Sequence, residues 1–267
     1  MAVLVASLVA TFFPCAAFAQ PVQPTLKLQV IGGRPVVDGV YLNGQGPFRF
    51  LVDTGTQVNM VETGLAKKLG LVGTFERELL TPSGSSHLRG GMVGKVSLGP
   101  VETEGQEFLF TNFDAEHTLS PDIRGILGQE FLAHFDYMLD FQHHGLTFGA
   151  VAAEGAHVPV KVVYGCMTVS TNQGDLLLDS GAEMLFLFRN SVAATTAQVR
   201  ASSGLSAPVS VDRAPGVRIG ERMYYPTNVE YRAVAGAPEA GLLPTSLFHA
   251  IFVSNSEGYV VFDPGRR

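Results

Sequence analysis

Two stretches of the sequence decide the fold, and they are Phe50-Leu51-Val52-Asp53-Thr54-Gly55 and Leu176-Leu177-Leu178-Asp179-Ser180-Gly181. Each consists of three apolar residues followed by an aspartate, a hydroxyl residue and a glycine. A chain of this composition is expected to contain only about 0.14 Asp-[Ser/Thr]-Gly triplets by chance. Since each triplet follows an apolar run, we expect both aspartates at the ends of buried β-strands.

The sequence around the two triplets is also repeated. A turn containing Asn, Gln and Gly precedes each apolar run, at residues 43–47 and 171–174, and indicates a β-hairpin. Downstream, residues 124–148 and 240–262 follow one order: an apolar pair, a short turn, a strand, a tight turn and a second strand. An order of elements that recurs in this way indicates an internal duplication.

The duplication predicts an all-β fold made of two pseudo-symmetric, β-barrel-like lobes with a cleft between them. We place the lobes at residues 24–150 and 157–265, joined by small residues at 150–156. Helical patterns are few. Short helices are predicted only at residues 61–69, 128–134 and 190–198.

Length and composition exclude several classes of protein. The chain has 267 residues, of which 46% are hydrophobic and 16% are charged, so neither a disordered chain nor a disulfide-stapled mini-protein is expected. The formal net charge of -6 leaves no basic excess for neutralising phosphates, and we expect no nucleic-acid partner.

Residues 1–19 resemble a secretory signal peptide, because they carry no charge, are largely apolar and end in Ala17-Phe18-Ala19. An uncleaved membrane anchor is the alternative. Cleavage after Ala19 would remove Cys15 and leave Cys166, which we interpret as a buried core residue, as the only thiol. We therefore expect a secreted or periplasmic protein whose mature form has no membrane span.

Two aspartates at the tips of apolar strands, one from each lobe, would meet where the lobes face each other. Close carboxyl groups in a poorly solvated site cannot both ionise, so they share one proton. Such a pair can deprotonate a water while it protonates a carbonyl oxygen, with no covalent intermediate. This chemistry requires neither a metal nor another cofactor, and we expect none.

The triplets, together with the apolar elements at residues 126–128 and 242–244, resemble the aspartic proteases. The similarity is greatest to two-lobed retropepsin-like or pepsin-like members that bacteria secrete. The match is incomplete at Pro244, which stands where the first copy has Gly128 and has no N–H group to offer.

The resemblance implies an acid-protease fold and an aspartic endopeptidase that acts on a peptide or protein substrate. It implies that Asp53 and Asp179 are the catalytic pair. The remaining triplet residues would support the pair, through interlocking hydrogen bonds from the hydroxyl residues and close backbone approach at the glycines: Thr54, Gly55, Ser180 and Gly181. Because one chain carries both triplets, a monomer is expected.

The residues after the triplets differ between the copies. Thr56 follows the first triplet and Ala182 the second. A hydroxyl at position 56 could donate to Asp53 and favour its ionised form. We therefore expect Asp53 to carry more of the charge of the pair and Asp179 more of its proton.

Residues 81–91 are rich in glycine and serine, and they are the candidate for a hairpin that closes over the substrate. The candidate substrate-binding residues are Gly84, Ser85, Ser86, His87, Gly90 and Gly91. An ordinary surface loop is the alternative interpretation. Residues 202–206 are the corresponding candidate in the second lobe.

Other functions remain open at this stage. A catalytically inactive peptide-binding module on the same fold is the main alternative to the protease, and a glycosidase with paired carboxylates is another. His143 and His144 are adjacent and lie in a predicted turn, so we interpret them as solvated residues and not as metal ligands.

Overall fold

The computed structural model describes residues 24–81, 84–149, 153–190, 195–200 and 206–265. The predicted leader at residues 1–19 and most of the second-lobe candidate hairpin at 202–206 lie outside these ranges. Inside them, no helix combines the length and the apolar character that a bilayer crossing requires.

The described residues before position 150 form mostly strands. In chain order the elements are β1 (Leu26–Ile31), β2 (Arg34–Leu42), β3 (Gln45–Val52), β4 (Asn59–Glu62), α1 (Thr63–Lys68), β5 (Phe75–Thr81), β6 (Gly84–Leu98), β7 (Val101–Thr111), α2 (Asp114–Leu119), β8 (Ile123–Leu127), α3 (Gln129–Leu132), β9 (Tyr137–Asp140) and β10 (Gly145–Phe148).

The described residues after position 152 form a second series of strands. In chain order they are β11 (Val158–Val163), β12 (Cys166–Thr171), β13 (Gly174–Asp179), β14 (Leu185–Leu187), β15 (Thr195–Arg200), β16 (Ser206–Arg213), β17 (Val217–Ile219), β18 (Arg222–Tyr224), β19 (Asn228–Tyr231), β20 (Gly241–Pro244), β21 (Ala250–Ser254) and β22 (Tyr259–Phe262), with a 3-10 turn at Thr245–Leu247.

One strand arrangement is built twice. In the N-terminal half, β3 runs parallel to β8, and β4 is antiparallel to β8 and parallel to β7. In the C-terminal half, β13 runs parallel to β20, and β14 is antiparallel to β20 and parallel to β19. The hairpins β5–β6 and β15–β16 continue the two arrangements through β7 and β19. The predicted all-β fold with two pseudo-symmetric lobes is confirmed.

An antiparallel sheet with the order β1-β10-β9-β21-β22-β11 joins the two lobes. Its central pair is β9 with β21, in which Leu139 lies opposite Ile251. Strands that occupy equivalent places in the repeat lie at equal distances from this pair. The local two-fold axis therefore passes between β9 and β21, and the sheet ties the lobes to each other.

The strands that lead to the triplets are buried on both faces. Neighbouring strand residues point to opposite faces, so Phe50 and Val52 pack into the main hydrophobic core while Leu51 packs on the other side. In the second lobe, Leu176 and Leu178 enter the same main core. Each fully buried side chain of this size stabilises the fold by about 1.5–3 kcal/mol, which fixes the strand ends from which the aspartates project.

Two of the three predicted helical segments contain a helix, and both helices are shorter than predicted. Residues 61–69 begin in β4, and the helix α1 covers only Thr63–Lys68 before Gly70, whose φ of 68° ends it. The third prediction is wrong where the structure describes it, because Thr195–Arg200 form the strand β15, and residues 191–194 lie outside the described ranges. Pairing with β16 along the whole length of β15 outweighs the helix propensity of the local alanines.

Candidate active site

The ends of β3 and β13 place Asp53 and Asp179 side by side. The N–H of Asp53 donates to the Leu127 carbonyl at 2.9 Å, and Asp179 lies opposite Pro244 in the parallel pair of β13 and β20. The two carboxyl groups are within hydrogen-bonding contact of each other. Asp179 is 8% exposed and Asp53 is somewhat more open.

Each carboxyl group packs against the glycine of the other triplet. A Cβ atom added to Gly181 would lie 2.6 Å from Asp53 Oδ2, and one added to Gly55 would overlap the carboxyl group of Asp179. Real side chains do not approach this closely. The glycines are therefore required by the opposite aspartate, and not by an unusual backbone conformation.

The hydroxyl residues of the triplets cross the lobe boundary. The N–H of Thr54 donates to Ser180 Oγ at 2.9 Å, and the N–H of Ser180 donates to Thr54 Oγ1 at 3.0 Å. Each hydroxyl then donates onward, Thr54 Oγ1 to the Leu178 carbonyl at 2.8 Å and Ser180 Oγ to the Val52 carbonyl at 2.7 Å. Both residues are fully buried. The structure thus brings the six triplet residues into one reciprocal network.

Burial dominates the electrostatics of the pair. It raises the pKa of Asp53, but the N–H of Gly55, the Asp179 carboxyl and the Arg34 guanidinium oppose this effect. Burial and then the charge of Asp53 hold the pKa of Asp179 well above its usual range. Of the two pKa values, that of Asp179 is therefore the more strongly raised, which is the direction expected if Asp179 holds more of a shared proton.

Thr56 is not the source of this asymmetry. Among the described residues its hydroxyl gives no hydrogen bond to Asp53, and its carbonyl accepts the N–H of Gln129 at 2.9 Å. On the other side, the N–H groups of Gly181 and Ala182 donate to Asp179 Oδ1 at 2.7 and 3.1 Å. The expectation that rested on the Thr56 hydroxyl is corrected, because that side chain turns its methyl group toward Gly128.

Arg34 supplies the positive charge beside Asp53, and sequence reasoning missed it. It begins β2, and its Nε donates across the lobe boundary to the Gly181 carbonyl at 2.6 Å. Its Nη1 forms an ion pair with Glu183, four residues after Asp179. At the equivalent place in the repeat, at the start of β12, stands Cys166. Alignment of the two hairpins would have marked position 34 as the site of a charge found in one copy only.

Residues 39–131 match the aspartyl protease family. The matched segment runs from within β2 into α3, so it includes the first triplet and the β5–β6 hairpin. Among solved structures, a retropepsin-like aspartic protease from Rickettsia conorii is similar, at 20% identity and a TM-score of 0.36 over 48% of this chain and 90% of that one. The predicted resemblance to the aspartic proteases is confirmed over residues 39–131.

The second lobe lies outside the aspartyl protease match, and Pro244 is its main departure. In the first lobe, the N–H of Gly128 donates to Asn59 Oδ1 at 3.0 Å. In the second lobe, Pro244 replaces the glycine and Leu185, which is fully buried, replaces the asparagine. Donor and acceptor are absent together, so the proline leaves no polar group unsatisfied.

The candidate hairpin at residues 81–91 consists of the end of β5 and the first half of β6. Gly84, Ser85, Ser86 and His87 lie near its turn. Gly90 and Gly91 lie at its base, where they are buried and where a Cβ would overlap Phe75 and the Val72 carbonyl. The last two glycines therefore permit close packing at the base of the hairpin, whereas Gly84, Ser85 and His87 are exposed.

Three further side chains from the sequence analysis take no part in the triplet network. Cys166 is buried, and burial raises the pKa of its thiol to about 12, so it remains protonated and unreactive. His143 and His144 lie in the turn between β9 and β10, where His143 Nδ1 is 3.0 Å from Asp140 Oδ1. Within the described ranges, no cluster of His, Cys, Asp and Glu is suited to a metal ion.

Proposed function

We propose that the protein is an aspartic endopeptidase in which Asp53 and Asp179 activate one water. The observation that carries this proposal is the contact between the two carboxyl groups above the reciprocal Thr54 and Ser180 network. The aspartyl protease match over residues 39–131 supports the same class of reaction.

In the proposed reaction, ionised Asp53 takes a proton from the water, and the resulting oxygen attacks the carbonyl carbon of the scissile amide. Protonated Asp179 gives its proton to the carbonyl oxygen, so a neutral tetrahedral diol forms and the charge moves to Asp179. The diol then returns one hydroxyl proton to Asp179. Asp53 protonates the leaving nitrogen, the C–N bond breaks, and both carboxyls regain their starting states.

The substrate in this proposal is an extended stretch of peptide between the lobes. Its backbone N–H and carbonyl groups would pair with strand-like partners, as in other modes of peptide recognition by sheet edges. Residues 84–87 of the β5–β6 hairpin are the proposed lid that excludes water from the reaction. Secretion or export to a periplasm and a monomeric state remain part of the proposal.

Incubation with an unstructured protein between pH 3 and 8 tests this function. Wild type is expected to release peptides, and Asp53→Asn and Asp179→Asn are each expected to abolish release. Asp175→Asn is the matched control, since Asp175 lies in the same strand but forms an exposed ion pair with Lys161. Cleavage that survives both dyad substitutions would refute the proposal. Binding of peptide without any cleavage would favour the inactive peptide-binding module.

A further inference from the structure

The two lobes present equivalent rows of side chains on the face from which the aspartates project. Leu51 and Asp53 share one face of their strand, as do Leu177 and Asp179, because they are two residues apart. From each leucine, the register crosses three neighbouring strands on that same face. We call these two sets the aspartate-side rows.

In the first lobe the aspartate-side row is entirely apolar. Leu51 lies opposite Ile126, Ile126 opposite Met60, and Met60 opposite Leu109. All four are buried, and they pack with Phe113 in the second hydrophobic cluster. This row therefore offers a substrate no polar side chain.

In the second lobe the equivalent row ends in a carboxyl group. Leu177 lies opposite Leu242, Leu242 opposite Phe186, and Phe186 opposite Glu230. Glu230 therefore occupies the place of Leu109. Its strand neighbours Val229 and Tyr231 pack toward the main core, which leaves the Glu230 side chain on the aspartate side.

Glu230 is only 3% exposed, and among the residues that the structure describes its Oε2 has no hydrogen-bond partner. A buried acceptor without a partner costs about 1–3 kcal/mol, so such a group requires an explanation. Burial raises the pKa of Glu230 to about 7; Arg232 opposes the rise and Glu183 adds to it. Glu183 is the residue that Arg34 holds beside the dyad. Glu230 is therefore close enough to Glu183 for the charge of Glu183 to raise its pKa.

We propose that Glu230 is a specificity-determining residue, whose free oxygen accepts a hydrogen bond from a long substrate side chain that ends in a donor, such as lysine, arginine or glutamine. The inference rests on the proposed peptidase function and extends it to substrate class. The pseudo-two-fold axis places the two rows on opposite sides of the scissile bond. The preferred substrate is therefore apolar on one side of that bond and carries a donor on the other.

Matched peptides that differ only by lysine or norleucine test the proposal, because the two side chains differ in the terminal ammonium group. The substitution is placed in turn at each of three positions on either side of the cleaved bond, and kcat/KM is measured. Wild type is expected to prefer lysine over norleucine by at least about 10-fold at a position on one side only, which corresponds to a single charge-assisted hydrogen bond.

Two variants of Glu230 and one control variant test whether Glu230 causes the preference for lysine. Glu230→Leu introduces the residue found at the equivalent position 109, and it is expected to reverse the preference so that norleucine is favoured. Glu230→Gln keeps the shape of the side chain and is expected to weaken the preference for lysine. Glu257→Gln, in the exposed turn between β21 and β22, is expected to leave it unchanged. Absence of a lysine preference in wild type, or a preference that persists in both Glu230 variants, would overturn the proposal.

Binding of the same peptides to Asp53→Asn protein, measured by fluorescence anisotropy, separates this inference from the proposed function. If wild type cleaves nothing, the peptidase proposal fails, and the ratio of lysine to norleucine binding still decides the role of Glu230. The role of Glu230 would be refuted if the lysine and norleucine peptides bound equally well to the Asp53→Asn protein and also to the Asp53→Asn/Glu230→Leu protein.

Discussion

At the scale of single residues, the glycines of the triplets are required by contacts between the lobes. We expect Gly181→Ala to lower kcat/KM by at least about 100-fold, because its Cβ would displace the Asp53 carboxyl from a position that catalysis needs to within about 1 Å. Steady-state kinetics on a fluorogenic peptide measures the loss.

Gly64→Ala is the matched control for this substitution. Gly64 lies in α1, and an added Cβ would meet no atom closer than 3.7 Å. We expect unchanged activity and stability that is equal or higher by up to about 1 kcal/mol. Equal activity of the Gly181→Ala and Gly64→Ala proteins would contradict the arrangement of the site.

Arg34 is predicted to set the acidic limit of activity. Its guanidinium lowers the pKa of Asp53, and in the proposed reaction Asp53 has to be ionised to act as the base. Removal of the charge in Arg34→Met raises that pKa, so the acidic limb of the kcat/KM profile is expected to move to higher pH. Arg218→Met, on an exposed strand position, is the control. If the acidic limb of the Arg34→Met profile does not move, Arg34 connects the lobes but does not control the pKa of Asp53.

At the scale of single residues, the sequence was sufficient to identify the two triplets but not the side chains that contact them. Asp-Thr-Gly and Asp-Ser-Gly carry a local pattern, and the structure brings both together. Arg34 lies 19 residues before Asp53 by position in the sequence, and its contacts with Gly181 and Glu183 arise only when the lobes meet. The equivalence of Glu230 and Leu109 likewise becomes visible only from the register of four neighbouring strands.

At the scale of structural elements, the network between the ends of β3 and β13 is predicted to hold the lobes together. Thr54→Ala and Ser180→Ala each delete two buried hydrogen bonds, and each is expected to lower the free energy of unfolding by roughly 2–4 kcal/mol. Urea denaturation measures these changes.

Conservative exchanges and the double variant test the reciprocity of that network. Thr54→Ser and Ser180→Thr keep the hydroxyl groups and are expected to stay within about 1 kcal/mol of wild type. The four hydrogen bonds of the two hydroxyl groups are distinct but belong to one network, so the loss in Thr54→Ala/Ser180→Ala is expected to differ from the sum of the single losses. Additive losses would mean that the residues act independently.

Elements with a strong local pattern were predictable. The hairpin turns before both triplets and the strand Tyr259–Phe262 lie where the pattern places them. A short helix was predicted at residues 190–198, of which 195–198 belong to the strand β15. The pairing with β16 that makes this segment a strand cannot be inferred from a local sequence pattern. The helix α2 was missed, since Asp114–Leu119 is too short to show a helical period.

At the scale of the whole molecule, burial of the dyad is predicted to reduce stability as pH rises. The pKa of Asp179 is raised in the folded state above the unfolded value of 3.8, so the unfolded state loses this proton first. Wild-type stability therefore loses this contribution progressively as the pH rises above about 4. Asp179→Asn carries no titrating group at this position and escapes the loss.

We therefore expect the Tm of Asp179→Asn to exceed that of wild type at pH 7, by roughly 2–4 °C for each 1 kcal/mol of difference. The excess should shrink toward zero as the pH falls below 4. Differential scanning calorimetry at several pH values provides the comparison, with Asp175→Asn as the control. A difference that grows as the pH falls would contradict the assigned direction of the Asp179 pKa.

The duplication explains both the symmetry of the molecule and its departures from symmetry. The strand arrangement is shared by the lobes and followed from the repeated order of elements in the sequence. The lobes differ at pairs of contacting positions. Gly128 and Asn59 form a hydrogen bond in the first lobe, and Pro244 and Leu185 occupy the equivalent two positions in the second. Such pairs are far apart in sequence, and a linear comparison of the copies shows only one member at a time.

The central claim is that Asp53 and Asp179 act as one unit, and the most direct measurement is kcat/KM for Asp53→Asn, Asp179→Asn and the double variant on one peptide. We predict that each single substitution removes nearly all activity and that the double variant is no worse than either, because half of a shared-proton pair has no function. Substantial activity in either single variant, or losses that multiply in the double variant, would contradict the claim.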